Sequence, residues 1–172
     1  MNLIKGGFSI LELMIAIIIL VLLSMMVMPF YHHTKAKQES QLIPVKLSIH
    51  LQQAKQHAVL YHNNVVVCAS EDFESCSRSS WATGSISFLD LNQNRSRETH
   101  EKLLNTYSMQ LRYGNLRWQG SLGSPHLVFQ GNTGLPRGSM GSFYYCSQYD
   151  APHRKIILNM MGSVRHETPL SC

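Results

Sequence analysis

The fold of this 172-residue chain is decided by the stretch Lys5-Gly6-Gly7-Phe8-Ser9-Ile10-Leu11-Glu12 and by the apolar run that follows it. In the 18 residues from Leu13 to Phe30, only Ser24 and Pro29 are not apolar. A run of this length and composition predicts a helix that spans a membrane. A carboxylate at the mouth of such a helix costs about 3 kcal/mol unless it finds a partner, so Glu12 is a candidate functional residue.

The small residues of this segment stand before the apolar run, whereas an ordinary secretory signal has them at a cleavage site after it. Here the run ends in Met25-Met26-Val27-Met28-Pro29-Phe30, and Gly6 and Gly7 precede it. This order resembles the class III prepilin leader of the type IV pilin family. In that family a short basic leader is cut after a glycine, the new first residue is usually phenylalanine, and glutamate stands at its fifth position. Gly7, Phe8 and Glu12 match that pattern residue by residue.

The resemblance implies a role for each of these three residues. Prepilin peptidase would cut between Gly7 and Phe8, and the new amine of Phe8 would be N-methylated. That amine would pair mainly with Glu12 of a neighbouring subunit, since opposite charges attract strongly in apolar surroundings. Two alternatives stay open: a simple anchor with accidental glycines, and a lone Glu12 carboxylate that reaches towards water.

The cysteines indicate an oxidising compartment, because they are even in number and all lie beyond the apolar run. They are Cys68, Cys76, Cys146 and Cys172. Three pairings are possible, and Cys68–Cys76 with Cys146–Cys172 closes the two shortest loops. The chain has no Cys-x-x-Cys pattern of the kind that zinc ribbons use.

The charges that flank the apolar run leave its orientation ambiguous under the positive-inside rule. Only Lys5 precedes the run, and the basic side chains that follow it are His32, His33, Lys35 and Lys37. The cysteines and the leader resemblance instead place Met1 in the cytoplasm. We therefore expect a single-pass protein of the inner membrane, with its C-terminal domain in the periplasm and, after assembly, in the pilus.

Four segments are predicted along the chain. Residues 1–7 form the leader, residues 8–31 the transmembrane half of one long helix, and residues 32–62 its amphipathic half. Residues 63–172 form one antiparallel β globular domain. The amphipathic half carries an apolar stripe at helical spacing, which should cover a sheet; its members are Ile43, Leu47, Leu51, Ala54, Ala58 and Tyr61.

From Val65 onward the apolar residues alternate with period two, which predicts strands. The predicted strands are Val65–Cys68, Ser85–Leu89, Leu103–Tyr113, Leu116–Gln119, Leu127–Phe129, Phe143–Cys146 and Lys155–Met160. Gly114-Asn115 predicts a hairpin turn between the third and fourth of these.

This order of a long helix and then antiparallel strands resembles minor pilins and pseudopilins, within them most of all the FimT/FimU and type II secretion protein H-like group. Two patterns carry that resemblance: Trp81-x-x-Gly84-x-Ile86-x-Phe88-x-Asp90-x-Asn92 and Leu127-x-Phe129-x-x-x-x-Gly134. The fold it implies is the α+β pilin fold, in which a long N-terminal transmembrane and amphipathic helix packs on an antiparallel β-sheet domain.

The sequence offers no motif for catalysis, so we expect neither an enzyme nor a cofactor. Asp90-x-Asn92-x-Asn94, with Glu101 eleven residues after Asp90, has the spacing of a calcium loop. Arg95 stands at the sixth position, where that loop needs glycine, so an Asp/Asn-rich hairpin turn is the preferred interpretation. The nine histidines are mostly scattered. No metal site is predicted.

The resemblance implies a minor type IV pilin that takes part in pilus assembly or priming. Its partners would be prepilin peptidase, other major and minor pilins and the inner membrane. Two alternatives are a minor pseudopilin of a type II secretion system and a DNA-binding minor pilin in natural transformation.

DNA contacts would fall to Arg154, Lys155 and Arg165, since the C-terminal part of the chain has an excess of basic residues. DNA-binding members of the FimT-like group carry a Gly-Arg-x-Arg-x-Arg motif. The matching stretch here, 162–167, keeps only Gly162 and Arg165, and Glu167 would repel phosphate. We therefore expect weak DNA binding or none near physiological salt.

Overall fold

The computed structural model describes residues 9–79 and 81–172. Within these residues one long helix, α1 (Ile10–Tyr61), precedes eight strands and a 3-10 turn at Ser121–Gly123. The strands are β1 (Asn64–Ala69), β2 (Gly84–Asp90), β3 (Leu103–Ser108), β4 (Gly114–Gly120), β5 (Leu127–Phe129), β6 (Gly141–Ser147), β7 (Arg154–Leu158) and β8 (Val164–Glu167). The predicted leader, 1–7, and the predicted first helical residue, Phe8, lie outside the described residues.

Helix α1 has 52 residues, which corresponds to about 78 Å at 1.5 Å per residue. It continues through both Pro29 and Pro44. It ends at Tyr61 because His62 adopts the left-handed conformation, with φ 50° and ψ 30°, which turns the chain away from the helix axis. β1 begins two residues later, so the end of the helix and the first strand are directly connected.

The apolar stripe of the amphipathic half faces the β domain, as predicted. Ile43, Leu47, Leu51, Ala54 and Ala58 are buried, and Tyr61 packs against the same core at partial exposure. Burial of a leucine or isoleucine side chain contributes about 1.5–3 kcal/mol, so the three large members alone hold the helix firmly to the sheets.

The strands form two antiparallel sheets, with orders β3-β2-β1-β5 and β4-β6-β7-β8. The main core lies between α1 and the inner faces of both sheets. A second, smaller core covers the outer face of the first sheet, where Val66, Ile86 and Phe88 pack under Phe73 of the β1–β2 connection. The predicted α+β pilin fold is therefore confirmed.

The predicted hairpin around Gly114-Asn115 is wrong, because its two strands belong to different sheets. β3 ends at Ser108 and pairs with β2, whereas β4 pairs with β6. Between them the backbone N–H groups of Met109 and Leu111 donate to the carbonyls of Thr83 and Ala82 at 3.0 and 3.1 Å. This segment carries the chain from one sheet to the other.

Gly114 does not form a turn; it allows close packing between two neighbouring strands. A Cβ atom at this position would collide with the ring of Tyr145 on the neighbouring strand β6. A glycine in a strand commonly marks such a close approach, and a sequence pattern cannot separate it from a turn glycine.

The last predicted strand, Lys155–Met160, is too long. β7 ends at Leu158, and the Asn159 side chain then accepts hydrogen bonds from the N–H groups of Met161 and Ser163, both at 3.0 Å. This turn leads into β8, which the sequence analysis missed. β8 is largely exposed and polar, so it lacks the alternation that marks a half-buried strand.

Candidate functional site

The N-terminal half of α1 is an apolar surface that nothing in the domain covers. Its large side chains from Ile10 to Phe30 are exposed wherever they are described. An 18-residue window of this helix has a mean hydropathy of 3.0, and none of that window is buried. By length and composition the helix can cross a membrane, and the first side chain buried by the domain is Ala36.

Glu12 lies in the first turn of α1 and is exposed. It is the only charged residue between Ser9 and Tyr31. A carboxylate in the first turn interacts favourably with the positive end of the helix dipole. Ser9, at the N-cap position, makes no side-chain capping hydrogen bond, so the first backbone N–H groups also stay available. Gly7 and Phe8 lie outside the described residues.

Ser24 does not add a second polar site to the anchor. Its hydroxyl donates to the Val21 carbonyl at 2.8 Å, within the same helix. The Glu12 carboxylate is therefore the polar group of the anchor that has no hydrogen bond or ion pair among the residues that the structure describes.

Both disulfides in the structure join cysteines that are near in sequence. Cys68 pairs with Cys76 and Cys146 with Cys172, with Cα–Cα distances of 5.6 and 5.8 Å. The first bridge fixes the β1–β2 connection over the second core, where Cys76 packs. The second bridge ties the C-terminus to β6.

The structure separates the three residues that were predicted to contact DNA. Arg154 lies on the same face of β7 as buried Ile156 and turns towards α1, where its Nε donates to the Ser40 hydroxyl at 3.3 Å. It also donates to Thr168 at 2.8 Å. Lys155 and Arg165 lie on the opposite, outer face of the second sheet.

The outer face of that sheet carries a row of paired side chains across all four strands. In strand register the row consists of Arg117, Tyr144, Lys155 and Glu167. Arg117 and Lys155 each lie 5.8 Å from the centre of the Tyr144 ring, and Lys155 forms an ion pair of 3.3 Å with Glu167. Half of the positive charge in this row is thus already neutralised within the domain.

Glu39, which was not predicted from the sequence, connects the helix to the segment between the two sheets. Its carboxylate accepts hydrogen bonds from the N–H groups of Arg112 and Tyr113 and from the Tyr145 hydroxyl, at 2.9, 3.1 and 2.9 Å. Burial, together with the Glu39 carboxylate, raises the pKa of Tyr145 well above its usual range. A single acidic residue in an amphipathic helix gives no sequence signal for this role.

Among the described residues, no group of three or more His, Cys, Asp or Glu side chains is placed to hold a metal ion. An open groove of about 660 Å³ lies between α1 and β8 and is lined by residues such as Ile49, Gln52, Val164 and His166.

Comparison with known proteins places this geometry in a family. The profile of the type II transport protein GspH family matches residues 46–162, which is more than half of the chain. The chain belongs to the GspH family. It is thus a member of the minor pilin and pseudopilin group, whose members are structural subunits anchored by an apolar N-terminal helix.

Solved structures agree with the GspH assignment at the level of the fold. The type IV minor pilin FimU of Pseudomonas aeruginosa PAO1 matches with a TM-score of 0.57 and 20% identity, over 78% of this chain and 96% of that chain. The minor pseudopilin EpsH from the type 2 secretion system of Vibrio cholerae matches with a TM-score of 0.52 and 11% identity, over 77% and 99%. No curated protein matches the chain.

Proposed function

We propose that this GspH-family protein is a minor type IV pilin that takes part in assembly or priming of the pilus. Residues 8–31 lie in the inner membrane, residues 32–62 carry the domain, and residues 63–172 lie in the periplasm until the subunit enters the filament. The observation that carries the proposal is a single carboxylate, Glu12, in the first turn of a long uncovered apolar helix on a pilin fold.

The chemistry of the anchor begins with the leader. Prepilin peptidase cuts between Gly7 and Phe8 and frees the Phe8 amine, which is then N-methylated and still positively charged. Glu12 has no ion-pair partner among the described residues, and apolar surroundings screen charges poorly. The Phe8 amine of one subunit and the Glu12 carboxylate of its neighbour therefore attract and set the axial position of the two helices.

Replacement of this carboxylate tests the proposal. In cells that produce the protein from a single gene copy, Glu12→Val should give a processed and inserted protein, because the change lowers the cost of insertion. Its amount in sheared pili should fall at least about tenfold, as expected from the loss of a poorly screened ion pair. Ser24→Ala is the matched control, because its hydroxyl bonds only within the helix.

Two readouts keep the outcomes distinct. Immunoblots of membranes measure stability, and intact mass of the mature chain measures leader removal. If Glu12→Val enters sheared pili as well as the Ser24→Ala control does, the role assigned to Glu12 is wrong.

A minor pseudopilin of a type II secretion system is the second candidate, favoured by the type II transport description of the matching family. Deletion of the gene separates the two candidates. If the deletion strain loses its surface pili and still secretes protein normally, the result supports the minor pilin function. If it keeps normal pili and fails in secretion, the protein is a minor pseudopilin instead.

A further inference from the structure

Two carboxylates, Asp90 and Glu101, are buried side by side at the end of the first sheet. Each side chain is only 2% exposed. Burial raises the pKa of Asp90, and the negative charge of Glu101 raises it further. Neither carboxylate has a basic partner within 4 Å among the described residues, where the ion pairs are His100–Glu98 and Lys155–Glu167. Buried charges in proteins are normally paired or bound to a metal ion.

Among the described residues, one buried oxygen of this pair has no hydrogen-bond partner. The Oδ2 atom of Asp90 accepts the N–H of Arg95 at 3.2 Å, whereas its Oδ1 atom is buried and has no partner. The two oxygens of Glu101 accept the N–H groups of Leu91 and Glu98 at 2.9 and 3.1 Å. The loop therefore holds both carboxylates in place and leaves Asp90 Oδ1 without a hydrogen-bond partner among the described residues.

The residues between the two carboxylates supply further oxygen atoms at calcium-loop spacing. In such a twelve-residue loop the ligands are the side chains at positions 1, 3, 5 and 12 and the carbonyl at position 7, while position 9 often acts through water. Counted from Asp90, these positions hold Asp90, Asn92, Asn94, Glu101, Ser96 and Glu98. The amides of Asn92 and Asn94 both donate to Glu98 Oε1, at 3.1 and 2.7 Å, so these three exposed or half-exposed side chains are held together on one side of the loop.

Arg95 at position 6 does not exclude an ion. It adopts a φ of 60°, which is the left-handed conformation that a glycine at this position makes easy. The backbone of Arg95 is therefore compatible with a calcium loop, and its positive charge lowers the affinity of the loop for calcium. Arg95 also lines the cavity of about 200 Å³ beside Asp90, together with Arg137, and their positive charges oppose a bound cation.

We propose that the loop from Asp90 to Glu101 binds one calcium ion through Asp90 Oδ1, the side-chain oxygens of Asn92, Asn94 and Glu101, and the carbonyl of Ser96. Two carboxylates with amide and backbone oxygens form the ligand set of a hard cation, not of zinc. With Arg95 nearby, the dissociation constant falls in the range of extracellular calcium modules, about 10⁻⁴ to 10⁻³ M. Asp90 lies opposite Asn64, the first residue of β1, close to the C-terminal end of α1, so the ion fixes the end of the domain that is farthest from the anchor.

Thermal unfolding of the full-length protein in detergent tests the proposal, with Trp81 and Trp118 of the main core as fluorescent reporters. After treatment with a chelator, 10 mM CaCl₂ should raise the Tm of the wild type by about 5–10 °C. Calorimetric titration with CaCl₂ should give the affinity stated above. MgCl₂ at the same concentration should give a smaller shift, because magnesium dehydrates reluctantly and needs octahedral geometry.

Three variants test whether the calcium-dependent shift in Tm arises from the loop between Asp90 and Glu101. Asp90→Asn should fold at least as well as the wild type in chelator, because it removes a buried charge, and should lose the calcium shift. Arg95→Gly should bind calcium several-fold more tightly. Asp72→Asn is the matched control, because Asp72 sits in another loop and also accepts backbone N–H groups, from Glu74 and Ser75; it should keep the full shift.

A wild type whose Tm is the same in calcium and in chelator would overturn the proposal. An equal calcium shift in Asp90→Asn would overturn it as well. Neither result bears on leader removal or on Glu12, so the proposed function stands or falls separately.

Discussion

The sharpest test of the domain's core is a change at His50, on the buried side of α1. His50 is fully buried, and neither ring nitrogen has a hydrogen-bond partner in the described part of the chain. Its ring meets Tyr107 of β3 edge to face, at 4.9 Å between ring centres. Burial lowers the pKa of His50 from 6.5 to about 4, because this site disfavours the charged imidazolium.

The sign of the resulting pH dependence follows from proton binding. Above pH 6.5 His50 is neutral in the folded and the unfolded chain, so it adds no pH dependence to stability. Between pH 6.5 and about 4 the unfolded chain takes up the proton and the folded domain does not, so stability falls as the pH falls. The difference between the two pKa values corresponds to about 3 kcal/mol, which is lost in full near pH 4.

His50→Leu removes this titration and keeps an apolar side chain of similar size in the core. Between pH 7 and pH 4 the wild type should lose about 3 kcal/mol more of its unfolding free energy than the variant. Near pH 4 the Tm of the variant should exceed that of the wild type by about 10 °C. At pH 7 the variant should be as stable or more stable, because two unpaired buried nitrogens are gone.

Urea unfolding of the full-length protein in detergent, followed by tryptophan fluorescence at pH 4 and pH 7, measures the difference. His126 and Asp90 also titrate, the first with a lowered and the second with a raised pKa, so only the difference between wild type and variant isolates His50. His166→Gln, at an exposed position, should follow the wild type. If His50→Leu and the wild type lose equal stability between pH 7 and pH 4, the burial argument is refuted.

Two further predictions concern the leader and DNA. Gly7→Val should block leader removal, because a bulky side chain then occupies the small site beside the scissile bond; intact mass should show a chain that still begins at Met1, whereas a chain that begins at Phe8 would contradict the pilin interpretation. In gel shifts the protein should bind DNA weakly or not at all near physiological salt, and at low salt Lys155→Ala and Arg165→Ala should weaken binding more than Arg154→Ala, whose guanidinium is engaged with Ser40 and Thr168. Tight retention at physiological salt that Arg165→Ala abolishes would make DNA binding the primary function.

The sequence was sufficient for the parts of the fold that depend on hydrophobic periodicity. The stripe from Ile43 to Tyr61 repeats at helical spacing over a long span, and β1 and β2 alternate or run apolar between clear turn signals. It failed at Gly114, where glycine permits the approach of a ring from another strand, which no local pattern encodes. It failed again at β8, whose side chains are mostly exposed.

The same contrast holds for the candidate sites: the sequence pattern marks some of their residues, whereas others depend on burial or on orientation within a strand. Glu12 could be singled out because a charge in an apolar run is conspicuous, and the structure leaves that carboxylate without a partner among the described residues. The sequence argues against a calcium site at Asp90 and Glu101, because it shows Arg95 but neither the burial of the two carboxylates nor the backbone conformation of Arg95. Arg154 was grouped with Lys155 because they are adjacent in sequence, yet neighbours in a strand point to opposite faces.

Polar residues of α1 form hydrogen bonds that connect the helix to both sheets, which strand pairing leaves separate. The described strands of the two sheets share no ladder, so their relative position depends on the helix that both cover. Glu39 accepts two N–H groups from the segment between the sheets and the hydroxyl of Tyr145 in the second sheet. Further along the helix, Gln53 accepts the amide of Asn105 in the first sheet at 3.4 Å. Hydrogen bonds to a carboxylate are roughly twice as strong as neutral ones, so Glu39 fixes the second sheet more firmly than Gln53 fixes the first. The amphipathic half of α1 is therefore an integral part of the domain as well as the stalk that connects it to the anchor.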